Sequence, residues 1–260
     1  MGMRYLQEQA KLQYKEELAP GIYSYTLKSP EIAQKAAVGQ FVQVLCGDFT
    51  LRRPISLCGF SAEYGILRLV FEVRGKGTDW LSRRQVGETL DLIGPLGHGF
   101  PLLDKGKKAV LIGGGIGTPP LLPLAQHYGA NAVAISGFRS RDTAILQEDF
   151  AACGAQTILC TDDGSAGFHG FTTQALEQYL QSGTCDVICT CGPKVMMKGV
   201  AEIAEKRGIL CYVSMEERMG CGFGACMGCS CRTKDDQGET HMTRVCLNGP
   251  VFDAKEVDFT

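Results

Sequence analysis

The 260-residue sequence lacks an apolar run long enough to span a membrane, and its N-terminus lacks the apolar segment of a secretory signal peptide. It also lacks a charge excess, because 26 Lys and Arg stand against 28 Asp and Glu. That balance argues against nucleic acid or an anionic membrane as the main partner. Histidine is scarce and scattered, so no general base is evident. The length favours two domains over one, and we expect a cytoplasmic protein.

Cysteine is abundant, and thirteen cysteines without an export signal favour reduced thiols over a disulfide framework. Most of them lie in or beside apolar segments and are predicted to be small buried residues. Between Met219 and Cys246 the pattern differs, because three cysteines form a C-x4-C-x2-C motif among four glycines and a fourth follows after a gap of sixteen residues. This opening spacing is typical of a plant-type [2Fe–2S] cluster. The predicted ligands are Cys221, Cys226, Cys229 and Cys246.

Two alternatives remain for this segment. Zinc sites usually pair their cysteines in two short knuckles, whereas here three cysteines share one glycine-rich loop, so the cluster is favoured over zinc. Cys231 is a fifth candidate ligand, and the sequence does not exclude it. Gly220, Gly222, Gly224 and Gly228 permit a loop that wraps tightly around the sulfur atoms.

The first hundred residues contain short alternating runs separated by Pro and Gly, which predict a small antiparallel barrel or sandwich. Arg52–Ser56 is predicted to end a strand with a cation and a hydroxyl, and Thr78 to begin a helix. The predicted strands are Gly21–Leu27, Phe41–Leu45, Ile66–Val73 and Thr89–Ile93.

The middle of the chain alternates apolar runs with helical patterns, which predicts βαβ units on a parallel sheet. Ala109–Ile112 is fully apolar, as expected of a strand buried on both faces, and the glycine-rich Gly113–Gly117 follows it. A dinucleotide diphosphate binds at such a strand-to-helix turn. The predicted helices are Leu121–Tyr128, Thr143–Ala152, Thr172–Gln181 and Lys194–Lys206.

In this order, the motifs of the first hundred residues resemble the flavin-binding barrel of the ferredoxin reductase family. Arg53 and Ser56 match the R-x-[YF]-[ST] motif, which implies Arg53 on the FAD pyrophosphate and the Ser56 hydroxyl near the flavin N5 as a catalytic group. Ile55 departs from the aromatic residue that stacks on the flavin in many members, so another residue is expected to cover that face. The implied FAD contacts are Arg53, Pro54, Ile55, Ser56, Val70, Phe71, Glu72, Gly77 and Thr78.

The glycine-rich turn resembles the GGG-I/T-G-x-x-P motif of the same family, and two later segments match its G-x-R and C-G-P motifs. The resemblance implies that Cys191 lies near the nicotinamide as a catalytic group; one more buried cysteine is the alternative. Arg139 and Arg141 could reach a 2′-phosphate of NADP, but Arg139 occurs in this motif with either cofactor, and NAD is favoured. The implied nicotinamide-nucleotide contacts are Gly113, Gly114, Gly115, Gly117, Arg139, Cys191, Gly192 and Pro193.

The three parts together resemble one branch of this family, the electron-transfer subunits of NAD-linked (type B) dihydroorotate dehydrogenase. Its C-G-x-G-x-C-x-x-C motif matches from Cys221 to Cys229, with the short gap to Cys246, and Met215–Met219 also looks like that branch. The resemblance implies an antiparallel FAD-binding β-barrel at 1–103, a parallel-sheet NAD-binding α/β domain at 104–210 and a [2Fe–2S] domain at 211–260.

The branch passes electrons from the FMN of a catalytic subunit through the cluster and FAD to NAD⁺, in pyrimidine biosynthesis. The implied partner is that FMN-binding dihydroorotate dehydrogenase subunit, in a heterotetramer with two copies of each chain. The alternatives are an NAD(P)H-dependent subunit of a sulfhydrogenase or of a transhydrogenase-type flavoprotein, and a stand-alone NAD(P)H reductase. An alternative from a different class is a redox sensor that binds the flavin and the cluster but catalyses no reaction.

Overall fold

Six antiparallel strands close into a barrel in the first part of the chain, in the order β1-β2-β5-β4-β3-β6 once the strands are numbered along the sequence. The computed structural model describes residues 5–235 and 237–260. The elements of the barrel are β1 (Leu6–Ala19), β2 (Ile22–Lys28), α1 (Pro30–Lys35), β3 (Phe41–Val44), β4 (Arg53–Ser61), β5 (Ile66–Glu72), α2 (Lys76–Ser82) and β6 (Thr89–Leu96). The predicted antiparallel barrel is confirmed.

Two strands of the barrel depart from the sequence-based prediction. β1 was missed because its fourteen residues are mostly polar and only Ala10, Leu12 and Ala19 are buried in it. The prediction that Arg52–Ser56 ends a strand was wrong, since β4 begins at Arg53 and runs on to Ser61. The motif is therefore at the entrance of β4, where β3 pairs with it.

A mainly parallel sheet with helices on its faces forms the second part, as predicted. Neighbouring strands run β10-β9-β8-β7-β11-β12, all parallel. The elements are β7 (Ala109–Gly114), α3 (Leu122–Tyr128), β8 (Ala132–Phe138), α4 (Gln147–Ala152), β9 (Gln156–Thr161), β10 (Phe168–His169), α5 (Thr172–Tyr179), β11 (Val187–Cys191), α6 (Lys194–Arg207) and β12 (Leu210–Ser214).

One helix of this part begins later than predicted. Residues 141–143 form a short 3-10 turn, in which the Thr143 hydroxyl donates to Ser140 O at 3.0 Å. Leu146 has a φ of 64°, which lies outside the helical region, so α4 cannot begin before Gln147. None of the helices in the described part of the chain is long and apolar enough to cross a membrane.

The last part of the chain carries the predicted cluster loop and returns to the sheet. β13 (Ser230–Lys234) and β14 (Thr240–Arg244) form a hairpin, α7 (Val245–Asn248) follows it, and β15 (Val251–Asp253) pairs antiparallel with β12. β12 precedes the cluster loop in the chain and β15 follows it. Because the two strands pair, both ends of the last part are held at the edge of the central sheet. The domain limits at 103 and 210 stay a prediction.

Shared cores join the three parts. Phe41 of the barrel packs in the same buried cluster as Val213 of the sheet and the cysteines Cys229 and Cys246. Arg68 of β5 also forms an ion pair with Asp149 of α4. The barrel wall, the sheet and the cluster loop are therefore fixed against one another.

Candidate functional site

The flavin motif lies on the wall of the barrel at β4. Ile55 is 6% exposed and packs in the barrel core together with Leu57, so Pro54 and Ser56 lie on the opposite, outer face. Ser56 is half-buried there, opposite Phe41 of β3.

Arg53 is the cation of this face, and its Nη1 donates to Leu51 O at 2.5 Å. Its guanidinium lies directly over Gly77, because a Cβ added to Gly77 would come within 2.7 Å of Arg53 Cζ. Its Cζ also lies 5.6 Å from the centroid of the Phe49 ring. Arg52 points elsewhere and pairs with Asp91 at 2.7 Å. The space at Gly77, which any side chain there would fill, has the Arg53 guanidinium along one side. Such an arrangement suits a diphosphate.

The turn between β5 and α2 is closed by Thr78. Its Oγ1 accepts hydrogen bonds from the N–H groups of Arg74 at 2.9 Å and Gly75 at 3.2 Å, and donates to Gly75 O at 3.1 Å. Because this hydroxyl caps the turn from inside the helix, α2 begins at Lys76 and not at the predicted Thr78. The hydroxyl keeps the Gly77 backbone in place beside Arg53.

The end of β5 brings the barrel to the nucleotide-binding part. Phe71 packs in the barrel core, whereas Val70 packs in a buried cluster formed mainly by the second part. Glu72 is half-buried and its carboxylate lies 2.7 Å from Arg74 Nε. The glycine turn after β7 lies against β5. The predicted flavin face and the predicted nucleotide turn are thus adjacent.

The two glycine-containing turns of the nucleotide site meet at the carboxyl edge of the parallel sheet. β7 and β11 are neighbours, and Gly113 lies opposite Cys191. A Cβ on Gly117 would lie 2.5 Å from Cys191 O, and one on Gly114 would lie 2.7 Å from Pro193 Cδ. Only glycine permits the chain to approach its neighbours this closely. The turns therefore form one wall of a crevice where nucleotides bind in sheets of this kind.

Thr118, which follows the glycine turn, was missed by the sequence analysis. Its side chain is fully buried, and its Oγ1 has no hydrogen-bond partner among the described residues. A Cβ on Gly113 would lie 2.6 Å from this oxygen. Leaving a buried hydroxyl unpaired costs free energy, so this atom indicates a polar group supplied from outside the chain. The only signal in the sequence was a hydroxyl directly after the glycine run.

Cys191 ends β11 with a neutral thiol. Burial raises its pKa to about 12, although a hydrogen bond with Ser214 opposes the shift, and the carboxylate of Glu216 raises the pKa further. Arg139 and Arg141 follow β8 at the exposed end of the same edge, where the Asp163 N–H donates to Arg139 O at 3.2 Å. The Cys191 thiol thus lies in the wall of the crevice, and Arg139 and Arg141 lie at the exposed rim of the crevice.

The cluster loop presents backbone N–H groups to cysteine sulfur atoms. Ala225 N lies 3.3 Å from Cys221 Sγ, and the Cys221 and Gly228 N–H groups lie 3.4 and 3.5 Å from Cys226 Sγ. Cys246 N lies 3.4 Å from Cys229 Sγ. Donors that converge on sulfur stabilise thiolates, which is the ligand form that iron requires.

Glycine serves this loop in two ways. Gly222 and Gly224 have φ values of 81° and 89°, which other residues rarely adopt. A Cβ on Gly220 or Gly228 would instead approach Cys226 Sγ to 3.1 or 3.5 Å. The loop can therefore bend sharply and stay close to its own sulfur atoms.

The four predicted ligands form two pairs. Cys221 and Cys226 are within hydrogen-bonding reach of each other, and so are Cys229 and Cys246. One zinc ion would bring all four sulfurs within roughly 3.8 Å of one another. In the described part of the chain, the one group with three ligand atoms within 4.8 Å is Asp235, Glu239 and His241, not a cysteine group. The arrangement fits one pair on each iron of a [2Fe–2S] cluster.

Burial separates the two pairs. Cys226 is exposed and Cys221 half-buried, whereas Cys229 and Cys246 are 2% and 1% exposed. Burial of Cys221 would raise its pKa, but the N–H groups of residues 223, 225 and 226 outweigh it and lower the pKa to about 6. Burial raises the pKa of Cys246 to about 12, and its bond with Cys229 adds to that shift.

Residues 216–258 match the family described as the iron–sulfur cluster binding domain of dihydroorotate dehydrogenase B. Over 248 residues, the chain is 43% identical to the dihydroorotate dehydrogenase B (NAD(+)) electron transfer subunit of Geobacillus thermodenitrificans, a match that covers 92% of this chain and 94% of that one. This chain belongs to that family of electron transfer subunits. The subunit of the same name from Bacillus cereus is 38% identical over 251 residues, covering 93% and 95% of the two chains.

A solved structure also supports the predicted fold of this dihydroorotate dehydrogenase B electron transfer subunit, with its barrel, parallel sheet and cluster loop in that order. A structure of an NADH-dependent reduced ferredoxin-NADP oxidoreductase, described for flavin-based electron bifurcation, is 28% identical with a TM-score of 0.86. It covers 100% of this chain and 92% of that one. The fold is thus shared with a flavoprotein that uses NADP, and sequence identity favours the dihydroorotate dehydrogenase branch.

Proposed function

We propose that the chain is the electron transfer subunit of an NAD-linked dihydroorotate dehydrogenase in pyrimidine biosynthesis. It connects a catalytic subunit, which oxidises dihydroorotate on FMN, to NAD⁺. The observation that carries this proposal is the 43% identity to such a subunit over 92% of the chain. The cysteines in two pairs and the adjacent flavin and nucleotide faces support it.

FAD is bound on the outer face of the barrel in this proposal. Arg53 and the Gly77 backbone take the pyrophosphate, and the Ser56 hydroxyl bonds the flavin near its reactive nitrogen. When bound, FAD exchanges electrons in pairs with a nicotinamide and singly with a cluster. The strand ends and turn that complete the proposed FAD site are Pro54, Ile55, Val70, Phe71, Glu72 and Thr78.

NAD is bound at the carboxyl edge of the sheet. The close contact of Gly117 with Cys191 leaves the backbone of both turns open to the dinucleotide, and Cys191 orients the nicotinamide as a neutral thiol. Thr118 offers its unpaired hydroxyl to the same ligand. The other proposed contacts are Gly113, Gly114, Gly115, Arg139, Gly192 and Pro193.

The cluster is bound by Cys221, Cys226, Cys229 and Cys246, as the paired sulfur atoms support. Cys231 is left out of this proposal because the other four cysteines already form two pairs, whereas Cys231 lies on β13 opposite Thr243. Burial raises the pKa of the Cys231 thiol.

The partner is an FMN-binding catalytic subunit, and the complex contains two copies of each chain. Family membership as an electron transfer subunit supports a catalytic partner. The exposed Cys226 and the neighbouring Met227, which is 52% exposed, support docking at the rim of the cluster loop. Thirteen free thiols support a reducing, cytoplasmic location. We keep 1–103, 104–210 and 211–260 as the proposed domains.

A second candidate function is an NADP-linked reductase. It is favoured by the fold shared with the ferredoxin-NADP oxidoreductase and by Arg139 and Arg141 at the exposed rim. Dye reduction measured with each cofactor separates the two functions. A preference for NADH supports the first proposal, and a preference for NADPH that is lost in Arg139→Ala supports the second.

Reconstitution tests the proposed function. The purified chain alone should reduce dyes with NADH and leave dihydroorotate untouched, because no base for proton removal from a carbon is evident in its sequence. Addition of the FMN subunit should give NAD⁺-dependent orotate formation. Orotate formation by the isolated chain, or a mixture that forms none, contradicts the proposal.

A further inference from the structure

β3 places a glutamine, Gln43, beside the flavin face of the barrel. Val42 and Val44 pack in the barrel core, so Gln43 points outward between them. Its register partner on β4 is Pro54, which shares the outer face with Ser56. Gln43 therefore lies next to the surface proposed to carry the flavin.

The Gln43 amide also touches the cluster loop. Its Nε2 lies 4.0 Å from Met219 Sδ, at the start of the loop. A Cβ on Gly222 would lie 2.5 Å from the same nitrogen, so the loop backbone rests directly on the amide. The Gln43 side chain thus lies between β3 and the cluster loop.

This amide is poorly satisfied by the protein itself. Gln43 is 0% exposed, and its Oε1 has no hydrogen-bond partner among the described residues. The contact of Nε2 with Met219 is a weak one to a thioether. An apolar side chain at this position would avoid the cost of burying an unpaired amide. The fold alone therefore gives no reason for a glutamine here.

Gln40, three residues earlier, is a glutamine whose amide is fully hydrogen-bonded within the protein, and it serves as a comparison for Gln43. Its Nε2 donates to Gly97 O at 2.7 Å, and its Oε1 accepts from the Ala37 N–H at 2.8 Å. Both ends of its amide are used by the protein. The contrast shows that the protein uses both ends of the Gln40 amide but leaves Gln43 Oε1 without a donor in the described part of the chain.

We propose that Gln43 is a positioning residue for electron transfer, which sets the reduction potential of the cluster and fixes its loop against the flavin face. In this proposal the Nε2 donor faces the loop at Gly222, next to the ligand Cys221, and an N–H donor directed at the bound cluster favours its reduced form, because reduction adds negative charge there. The inference rests on the proposed function for the presence of the cluster. It assigns a task to a residue that is neither a cluster ligand nor part of the flavin motif.

A redox titration of the whole flavin- and cluster-loaded chain, followed by electron paramagnetic resonance, tests the proposal. Gln43→Leu removes the donor and should lower the cluster potential, by about 59 mV if the reduced form is disfavoured tenfold. Gln43→Glu, which replaces the donor with a carboxylate of similar shape, should lower it further. Gln40→Leu should leave the potential unchanged and lower the thermal midpoint, since it breaks two satisfied hydrogen bonds.

Wild-type potentials in both Gln43 variants, with iron and sulfide content unchanged, would overturn the inference. If Gln43→Leu fails to fold, the Gln43→Glu potential decides. The thermal midpoint of the cluster-free chain gives a second readout. Gln43→Leu should not lower it, because the lost amide is unpaired in the protein, and a clear loss of stability would assign Gln43 a structural role instead. Wild-type protein without iron and sulfide would contradict the proposed function itself.

Discussion

At the scale of single residues, the sulfur atoms of this chain fall into two groups. Three of the four proposed ligands, Cys221, Cys226 and Cys229, accept backbone N–H groups within the cluster site. Burial raises the pKa of every cysteine thiol outside the proposed ligand set and keeps it neutral. These thiols are Cys46, Cys58, Cys153, Cys160, Cys185, Cys189, Cys191, Cys211 and Cys231.

This difference predicts the order of alkylation in the cluster-free protein. With a pKa of about 6, Cys221 is mostly thiolate at pH 7, whereas Cys58, with a pKa of about 12, is not. Iodoacetamide should label Cys221 before Cys58, and labelling of Cys221 should slow as the pH falls through 6, because the thiolate is then protonated. Timed labelling followed by peptide mass spectrometry measures the order. Equal rates at Cys221 and Cys58 would contradict it.

The choice of ligands predicts opposite results for two serine variants. Cys226→Ser should lose iron, acid-labile sulfide and the brown colour, because one iron loses a thiolate. Cys231→Ser should keep all three, since that thiol lies on β13 opposite Thr243 and outside the two pairs of ligand cysteines. Iron and sulfide analysis with a visible spectrum measures both. Loss of the cluster in the second variant alone would mean that the wrong cysteine had been chosen.

Arg53→Ala should weaken FAD binding by about 1.5–3 kcal/mol, the usual worth of a charge-assisted hydrogen bond. Gly77→Ala should act in the same direction, because its Cβ would displace the Arg53 guanidinium while leaving the backbone in place. Fluorescence of FAD released during dialysis measures the loss. Arg52→Ala is the matched control, since that guanidinium pairs with Asp91. Unchanged retention in Arg53→Ala would place the flavin elsewhere.

At the scale of elements, the glycine turns of the nucleotide site depend on close backbone contact. Gly117→Ala would press a methyl group against the backbone of Cys191 and should cost about 1–3 kcal/mol, as overpacking does. NADH-dependent dye reduction should also fall in this variant, since the two turns of the nucleotide site would move apart. Gly208→Ala is a control of similar cost, because its φ of 66° strains alanine in open space far from the crevice. Thermal midpoints and NADH turnover in both variants measure the difference.

Much of the arrangement of elements could be predicted from sequence, because each signal is local. Apolar runs ending in glycine located β7 and the turn that follows it, and the cysteine spacing located the cluster loop. β1 escaped because a strand on the outside of a barrel buries few residues, here mainly Ala10 and Leu12. α4 was extended too far because the left-handed conformation of Leu146 leaves no mark in the pattern.

At the scale of the whole molecule, the site depends on contacts between distant parts of the chain. Gln43 and Met219 touch although they are 176 positions apart. A glutamine in an apolar strand looks like an ordinary surface residue until the cluster loop is placed over it. Thr118 is similar, since only the packing of β7 against the following turn shows that its hydroxyl is buried and unpaired. Such residues could not be found from periodicity or motif spacing.

The central claim is that electrons cross this chain between the partner's FMN and NAD⁺ by way of the cluster. Its most direct test is the dihydroorotate:NAD⁺ activity of the reconstituted complex, measured with wild-type chain and with Cys226→Ser beside Cys231→Ser. The account predicts that Cys226→Ser abolishes coupled turnover and keeps NADH-dependent dye reduction, because the flavin and nucleotide faces are intact. Cys231→Ser should keep both activities. Coupled turnover that persists in Cys226→Ser after iron is lost would contradict the account.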